Sequence, residues 1–331
     1  MIIRNNSHAN KTGLIIQGPL YSPGHGPYEF KPDGSFEKSW IEFDCKQNLL
    51  ETIQSAKILF DYIVLATWHD PKYTDFINSL AKFPHVHVVE LKESPELVKQ
   101  SQSGVHKYHQ VETLRIGAAK SEELGCDVVA KIRTDHSVNL GLLSRQVKQH
   151  RLHNENSLGV PNINLFELDR LTDFFFVGRP EVIKGMCDFY LSSPETSVDT
   201  HRDYFLGFLH FLSKDEDLIR IIRDSESILK RDIKCVFAWT NYYYPLRSGM
   251  FRNFYWRGRG VNHRLNGWIR WFYAFHASRP DFRCIKFGLN LILILLVRQL
   301  KKPTIKYTSA VLFRVYRWKA SRSLPSISNS D

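Results

Sequence analysis

Four short apolar runs, separated by helix-periodic segments and by loops dense in glycine and proline, limit what this chain can fold into. GLIIQGPL (13–20) reads as a buried strand closed by Gly18-Pro19. YIVLAT (62–67) is a second, closed by Trp68, His69, Asp70 and Pro71; HVHVVEL (85–91) is a third and VVAKIR (128–133) a fourth. Between them, residues 45–60 place Leu49, Ile53, Ala56 and Phe60 at helical spacing. Residues 109–124 set Val111, Leu114, Ala118 and Ala119 on one helical face, and Gly125 follows as a C-terminal cap. Strand, helix, strand, helix is the pattern of an α/β fold with a mainly parallel central sheet flanked by helices. The loop YSPGHGPYEFKPDGS (21–35) is too rich in Gly and Pro for regular structure. Further on, residues 140–153 read as a basic helix. LTDFFFVGRPEVI (171–183) reads as a strand leading into a helix begun near Pro180, and residues 202–230 as a long amphipathic helix.

In such a sheet, ligands sit beyond the carboxyl ends of the strands. Asp135 falls there, as do the loops after Gly18 and Trp68, so three loops are expected to converge on one crevice. A carboxylate beside Arg133 and His136 suits a ligand of Mg²⁺ or Mn²⁺, whose shell a nucleotide diphosphate would complete. Arg133 or Lys131 suits direct contact with phosphate. A lone RTD is equally what a solvated strand end looks like when its Asp caps the next segment. Asp173, bordering Phe174, Phe175 and Phe176, is a second candidate: apolar surroundings raise a carboxyl pKa and suit a general base. An ordinary strand-edge acid fits the same residues. Gly18, Gly24 and Gly26 would let backbone approach a ligand, yet QGPLYSPGHG matches neither GxGxxG nor GxxxxGK[ST], and a plain surface loop fits its middle. His106, His109 and His136 lack zincin spacing and form no metal triad.

Taken in order, LIIQGPL, IVLATW, HQVETLRIGAA, VVAKIRTD and LTDFFFVGRPE resemble the WavE-type lipopolysaccharide biosynthesis proteins. That family is glycosyltransferase-like, with a GT-A nucleotide-sugar-binding fold. Its QGP strand end matches Gln17, Gly18 and Pro19, and its STW strand end matches Thr67 and Trp68. Its Gln-x-x-Thr-x-x-Gly run matches Gln110, Thr113 and Gly117, with one extra residue in the second step. K-x-R-[ST]-D falls on Lys131, Arg133, Thr134 and Asp135, and D-[WF]-F-F-x-G on Asp173, Phe175, Phe176 and Gly178. The match covers about residues 13–185. Two departures are a long glycine-rich QGP loop and His109 where an arginine is usual.

The resemblance implies a GT-A-like (Rossmann-like) catalytic domain over residues 1–245 that takes a nucleotide-sugar donor. It implies donor contacts from Gln17, Gly18, Pro19, Thr67, Trp68, Gln110, Arg133 and Asp135. Asp135 stands where GT-A enzymes keep the acid that meets a metal and diphosphate, so a divalent cation, Mn²⁺ or Mg²⁺, is the expected cofactor. An inverting reaction needs a base, and Asp173 is the candidate. The implied activity is sugar transfer to a lipid-linked or saccharide acceptor in lipopolysaccharide or capsular polysaccharide assembly.

Charge bears on partners. From Arg247 to Ala320 there are sixteen Lys/Arg against the single acid Asp281, while the whole chain is only +11, so the first 246 residues are on balance acidic. Segments such as FRNFYWRGRG, GWIRWFYAFH and VLFRVYRWKA interleave the cations with aromatics. This makes residues 246–320 a helical basic segment suited to an anionic membrane surface, where each basic residue contributes about 1 kcal/mol, or to packing on the catalytic body. Nucleic acid is a weaker fit, although a non-catalytic nucleic-acid-binding or scaffold protein is the rival reading, and a nucleotidyltransferase the rival enzyme. FGLNLILILLV (287–297) would reach ~16 Å as a helix against ~30 Å of hydrocarbon, too short to span. The transferase reading favours a peripheral place on the inner face of the cytoplasmic membrane. Five scattered cysteines without a CxxC pair suit a reducing compartment, and the N-terminus shows no secretory h-region. SRSLPSISNSD (321–331) reads as a disordered tail.

Overall fold

The computed structural model describes residues 11–26, 29–30, 36–37, 39–92, 107–150, 156–161, 168–171, 173–192, 200–246 and 254–260. In chain order the elements begin with β1 (Thr12–Gln17), β2 (Gly24–His25), β3 (Glu29–Phe30), β4 (Phe36–Glu37) and β5 (Trp40–Ile41). Next come α1 (Lys46–Ala56), β6 (Tyr62–Trp68), α2 (Thr74–Leu80), β7 (Val86–Leu91) and α3 (Lys107–Glu123). They are followed by β8 (Val128–Arg133), β9 (His136–Ser137), α4 (Leu140–Gln149), β10 (Leu158–Val160), β11 (Phe176–Gly178) and α5 (Pro180–Ser192). The last are α6 (Thr200–Ser213), α7 (Glu216–Asp224), α8 (Ile228–Tyr242), β12 (Tyr243–Pro245), β13 (Tyr255–Trp256) and β14 (Arg259–Gly260).

The expected mainly parallel α/β sheet is present. Seven strands lie in the order β12-β10-β11-β8-β1-β6-β7, and only β11 runs against the rest. Strands buried on both faces must be apolar throughout, and β1 is buried at all six positions. Its alternation sorts the core. Leu14 and Ile16 face a cluster with Leu49 and Ile53 of α1, Ile77 and Leu80 of α2, and Leu143 and Val147 of α4. Ile15 faces the other way, where Gly117 of α3 sits so close that a Cβ there would lie 2.8 Å from Ile15 Cγ2 and 3.2 Å from the Ala66 Cβ. Each fully buried aliphatic side chain contributes about 1.5–3 kcal/mol, so this two-sided core fixes which strand ends meet.

The chain runs outward from β1 to β6 and β7, then returns through α3 to place β8 on the other side of β1. The β1/β8 junction is therefore the point where strand order reverses, and in open α/β sheets the crevice for a ligand opens there.

Two segments differ from the sequence expectation. Residues 202–230 are not one helix: Lys214 takes a φ of 53° and the Asp215 side chain then accepts from Leu218 N, starting α7 afresh, while Ser227 caps α8 through Lys230 N. The glycine-rich loop carries two short ladders: Gly24–His25 pairs with Trp40–Ile41, just before α1, and Glu29–Phe30 pairs with Phe36–Glu37. The apolar 287–297 stretch and the 321–331 tail lie outside the described residues. Among those described, no helix is long and apolar enough to cross a membrane, and Cys45, Cys126, Cys187 and Cys235 are free and buried.

Candidate functional site

At the reversal point two of the sequence motifs lock together through their backbones. Thr134 N donates to Gln17 O at 3.1 Å, Gly18 N to Ala66 O at 3.1 Å, and Thr134 Oγ1 to Pro19 O at 2.7 Å. Gly18 has φ +133°, and a Cβ there would stand 2.9 Å from Thr134 Oγ1, so a glycine is required. From α1, Asn48 Nδ2 donates to Thr134 O (2.7 Å) and His136 O (3.0 Å), and its Oδ1 accepts from Ser137 Oγ. This pins the turn and drives Asp135 inward, where only 2% of it is exposed.

The Asp135 carboxylate is fully engaged. Oδ1 accepts from Arg133 Nε at 3.0 Å. Oδ2 accepts from Arg133 Nη2 (3.1 Å), Ser22 Oγ (2.9 Å) and Trp256 Nε1 (3.1 Å), and lies 3.3 Å from Arg257 Nε. Arg257 comes from the tight turn joining β13 to β14, in which Arg257 and Gly258 both have positive φ, 51° and 72°. This is the backbone a two-residue hairpin demands. The hairpin adds β13 to β9, and Arg257 N donates to Asp135 O at 2.8 Å. Arg257 Nη1 also donates to His25 O at 2.5 Å and its Nε to Ser22 Oγ at 3.2 Å.

Arg133 reaches a second buried carboxylate, Asp173, through Nη1 at 3.1 Å. Lys131, 1% exposed, donates to Asp173 O and stands over the Phe176 ring. His136, fully buried, must carry its proton on Nδ1, since it meets the Phe174 carbonyl at 3.2 Å; its Nε2 has no hydrogen-bond partner among the described residues and lies 3.6 Å from Asp135 Oδ1.

Burial would raise both carboxyls, but Arg133 above all holds Asp135 and Asp173 well below the ordinary range. Burial lowers His136 to about 3, against the pull of Asp135, and lowers Lys131 to about 8, against that of Asp173. The raised pKa expected for Asp173 is thus reversed in sign. The aromatic run does desolvate it, but Arg133 and Lys131 outweigh that effect. A carboxylate held ionised and already bonded to a guanidinium is a poor proton acceptor.

The expected ligation of Mn²⁺ or Mg²⁺ by Asp135 does not fit this arrangement. A hard cation needs free carboxylate lone pairs; Oδ2 of Asp135 already accepts three hydrogen bonds, Oδ1 accepts one from Arg133 Nε, and the two guanidinium groups beside them repel a further cation. Nor do the described residues contain any group of three His, Cys, Asp or Glu side chains that would hold a metal ion.

The remaining expected donor residues are placed as packing. Gln17 Nε2 donates to Gln110 O and Thr113 Oγ1, both at 3.0 Å, tying β1 to α3. Thr67 is wholly buried, and Trp68 Nε1 donates to His109 O at 3.2 Å with the two rings 4.4 Å apart. The glycines of the long loop admit this protein's own side chains: a Cβ on Gly24 would meet Arg257 Nη1 at 2.7 Å, and one on Gly26 would meet Ile41 Cδ1 at 2.4 Å. Sequence reasoning missed Ser22, Asn48, Trp256 and Arg257. The Arg-Gly of YWRGRG, set between short extended residues, was the available signal for a hairpin.

No protein-family model matches the chain, and no curated protein sequence matches it. Among solved structures, a 4-diphosphocytidyl-2C-methyl-D-erythritol synthase from Anaerococcus prevotii is 12% identical, with 59% of this chain and 83% of that one covered at a TM-score of 0.35. A cytidylyltransferase from Leptospira borgpetersenii is 11% identical, with 62% and 73% covered at 0.35, and HddC from Yersinia pseudotuberculosis is 10% identical, with 58% and 83% covered at 0.33. These likenesses are too slight to carry a function across. The strand order itself establishes the fold, a mainly parallel, Rossmann-like α/β sheet flanked by helices.

Proposed function

We propose that this chain is a nucleotide-sugar-dependent glycosyltransferase acting on a lipid-linked or saccharide acceptor in lipopolysaccharide or capsular polysaccharide assembly. One observation carries the reading. The loop that follows QGP and the RTD motif, 113 residues apart at their Ser22 and Asp135 contact, meet at the reversal point of a mainly parallel sheet, where Lys131, Arg133 and Arg257 gather. A nucleotide diphosphate needs such a place, because guanidinium groups there meet the charge that develops as the sugar departs. Asp135 and Asp173 act as positioning residues that hold Arg133 from two sides, and the acceptor proton leaves to a base other than Asp173. The basic stretch from residue 247 onward would bring the enzyme to the anionic inner face of the cytoplasmic membrane, where a lipid-linked acceptor resides.

The test is a ligand-induced thermal shift with UDP-, GDP- and CMP-sugars on the full chain, followed by transfer of labelled sugar into lipid extract. A shift with one nucleotide class and label in the lipid is expected. Oligonucleotide binding without any nucleotide-sugar shift overturns the reading. So does release of pyrophosphate from nucleoside triphosphate and sugar phosphate, which marks a nucleotidyltransferase.

A further inference from the structure

A guanidinium carries five N–H donors. Arg133 uses three, on Asp135 twice and on Asp173 once. Arg257 uses two, its Nε shared between Ser22 and Asp135 and one Nη1 hydrogen on His25 O. Two N–H groups of Arg133 and three of Arg257 are left without an acceptor among the described residues, although the side chains are only 15% and 9% exposed. Neither guanidinium has a fully buried nitrogen without a partner, so the spare N–H groups stay within reach of a ligand, and both guanidinium groups converge on the same oxygen, Asp135 Oδ2. Lys131 adds a third buried cation beside Asp173. Three cations face two carboxylates, which leaves a local excess of positive charge.

We propose that Arg133 and Arg257 form a two-guanidinium clamp that holds the donor's diphosphate without a divalent cation, Asp135 serving to orient the pair. The proposal rests on the transferase reading for its ligand. It accounts for the crowding of Asp135 Oδ2, because a carboxylate that orients two arginines sits among cations that repel a metal. It also gives residues 254–260 a role at the site: the hairpin carries Arg257 to the β1/β8 crevice from the far end of the chain. In the reaction the bond from the anomeric carbon to the diphosphate oxygen breaks, and its electron pair stays on that oxygen. The acceptor oxygen bonds to the anomeric carbon, its proton passes to solvent water, and the spare N–H groups of the clamp meet the added charge on the diphosphate. Planar forks that bind two oxygens at once suit this task.

Titration calorimetry of the full chain with inorganic pyrophosphate, in EDTA and again in Mn²⁺, tests it. Binding in EDTA is expected, with less than a threefold gain in Mn²⁺, and a nucleoside diphosphate should compete. Arg257→Gly suits the positive φ of the turn, so the backbone is kept while the guanidinium is lost, and affinity should fall at least tenfold. Arg257→Lys, which keeps the charge but not the fork, should fall between the two. Binding that requires Mn²⁺, no competition by nucleoside diphosphate, or unchanged affinity in a folded Arg257→Gly overturns the clamp. Mn²⁺-dependent sugar transfer would sink the clamp and leave the transferase standing. Pyrophosphate binding in EDTA without transfer from any nucleotide-sugar would do the reverse.

Discussion

Two motif clusters flank β1, and they differ in what they leave over. On the α3 side, Gln17 Nε2 donates to Gln110 O and Thr113 Oγ1, Thr113 Oγ1 meets Gln110 O and His109 O, and the missing Cβ of Gly117 seats the helix against the sheet. At the β8 end, Arg133, Asp135, Asp173 and Arg257 form a charged knot in which every carboxylate oxygen facing the knot is used but five N–H donors are not. The first cluster is neutral and serves packing. The second is charged and leaves guanidinium N–H groups over, which is the state expected of a site awaiting an anionic ligand. Residues that recur together in an ordered motif can thus serve packing in one place and chemistry in another, and hydrogen-bond satisfaction separates the two.

The contrast breaks most visibly at Asp135. Asp135→Ala leaves two buried guanidinium groups facing each other, and removing one partner of a buried pair costs about 3–5 kcal/mol. Urea unfolding should show that loss, and a change below about 1 kcal/mol would mean that the knot is solvated. Gly117→Val, by comparison, forces a side chain against Ile15 and should cost about 1–3 kcal/mol by overpacking. At a temperature where it remains folded, its pyrophosphate affinity should match the parent; a tenfold loss would join the two clusters into one.

Acid offers a third handle. His136 stays neutral in the fold down to about pH 3, because burial outweighs the attraction of Asp135, and Arg133 and Lys131 add to the lowering. The unfolded chain takes up that proton near pH 6.5. Stability is therefore fully present above pH 6.5 and falls as pH drops toward 3. His136→Phe, in a pocket already lined by Phe174 and Phe254, should flatten that part of the urea-midpoint profile, and an unchanged slope would place its origin elsewhere. The smallest effect belongs to Gln17→Leu, which loses two hydrogen bonds worth about 1 kcal/mol each and should leave pyrophosphate binding unaltered.

Much of the fold was legible because β1, β6, β7 and β8 are short apolar runs and because helical spacing and Gly125 marked α1 and α3. The broken 202–230 stretch was not, since Lys214 in a left-handed conformation carries no composition signal. For the site, strand-end logic located Asp135 and Arg133 correctly in space. It could not show that Asp135 Oδ2 is crowded, because the crowding residues, Ser22, Trp256 and Arg257, lie 113 to 122 residues away in sequence or belong to a segment whose charge pointed toward a membrane. The direction of the Asp173 shift was hidden for a related reason: its aromatic neighbours are adjacent in sequence, while Arg133, which holds it ionised, is forty residues distant.

Amide hydrogen exchange of the full chain, with and without a saturating nucleoside diphosphate-sugar chosen by the thermal-shift panel, tests the central claim most directly. Added protection is predicted at residues 18–24, 133–137 and 254–260, with none at 107–117. Protection confined to the α3 side, or spread evenly across the sheet, would contradict a donor site built at the β1 and β8 ends.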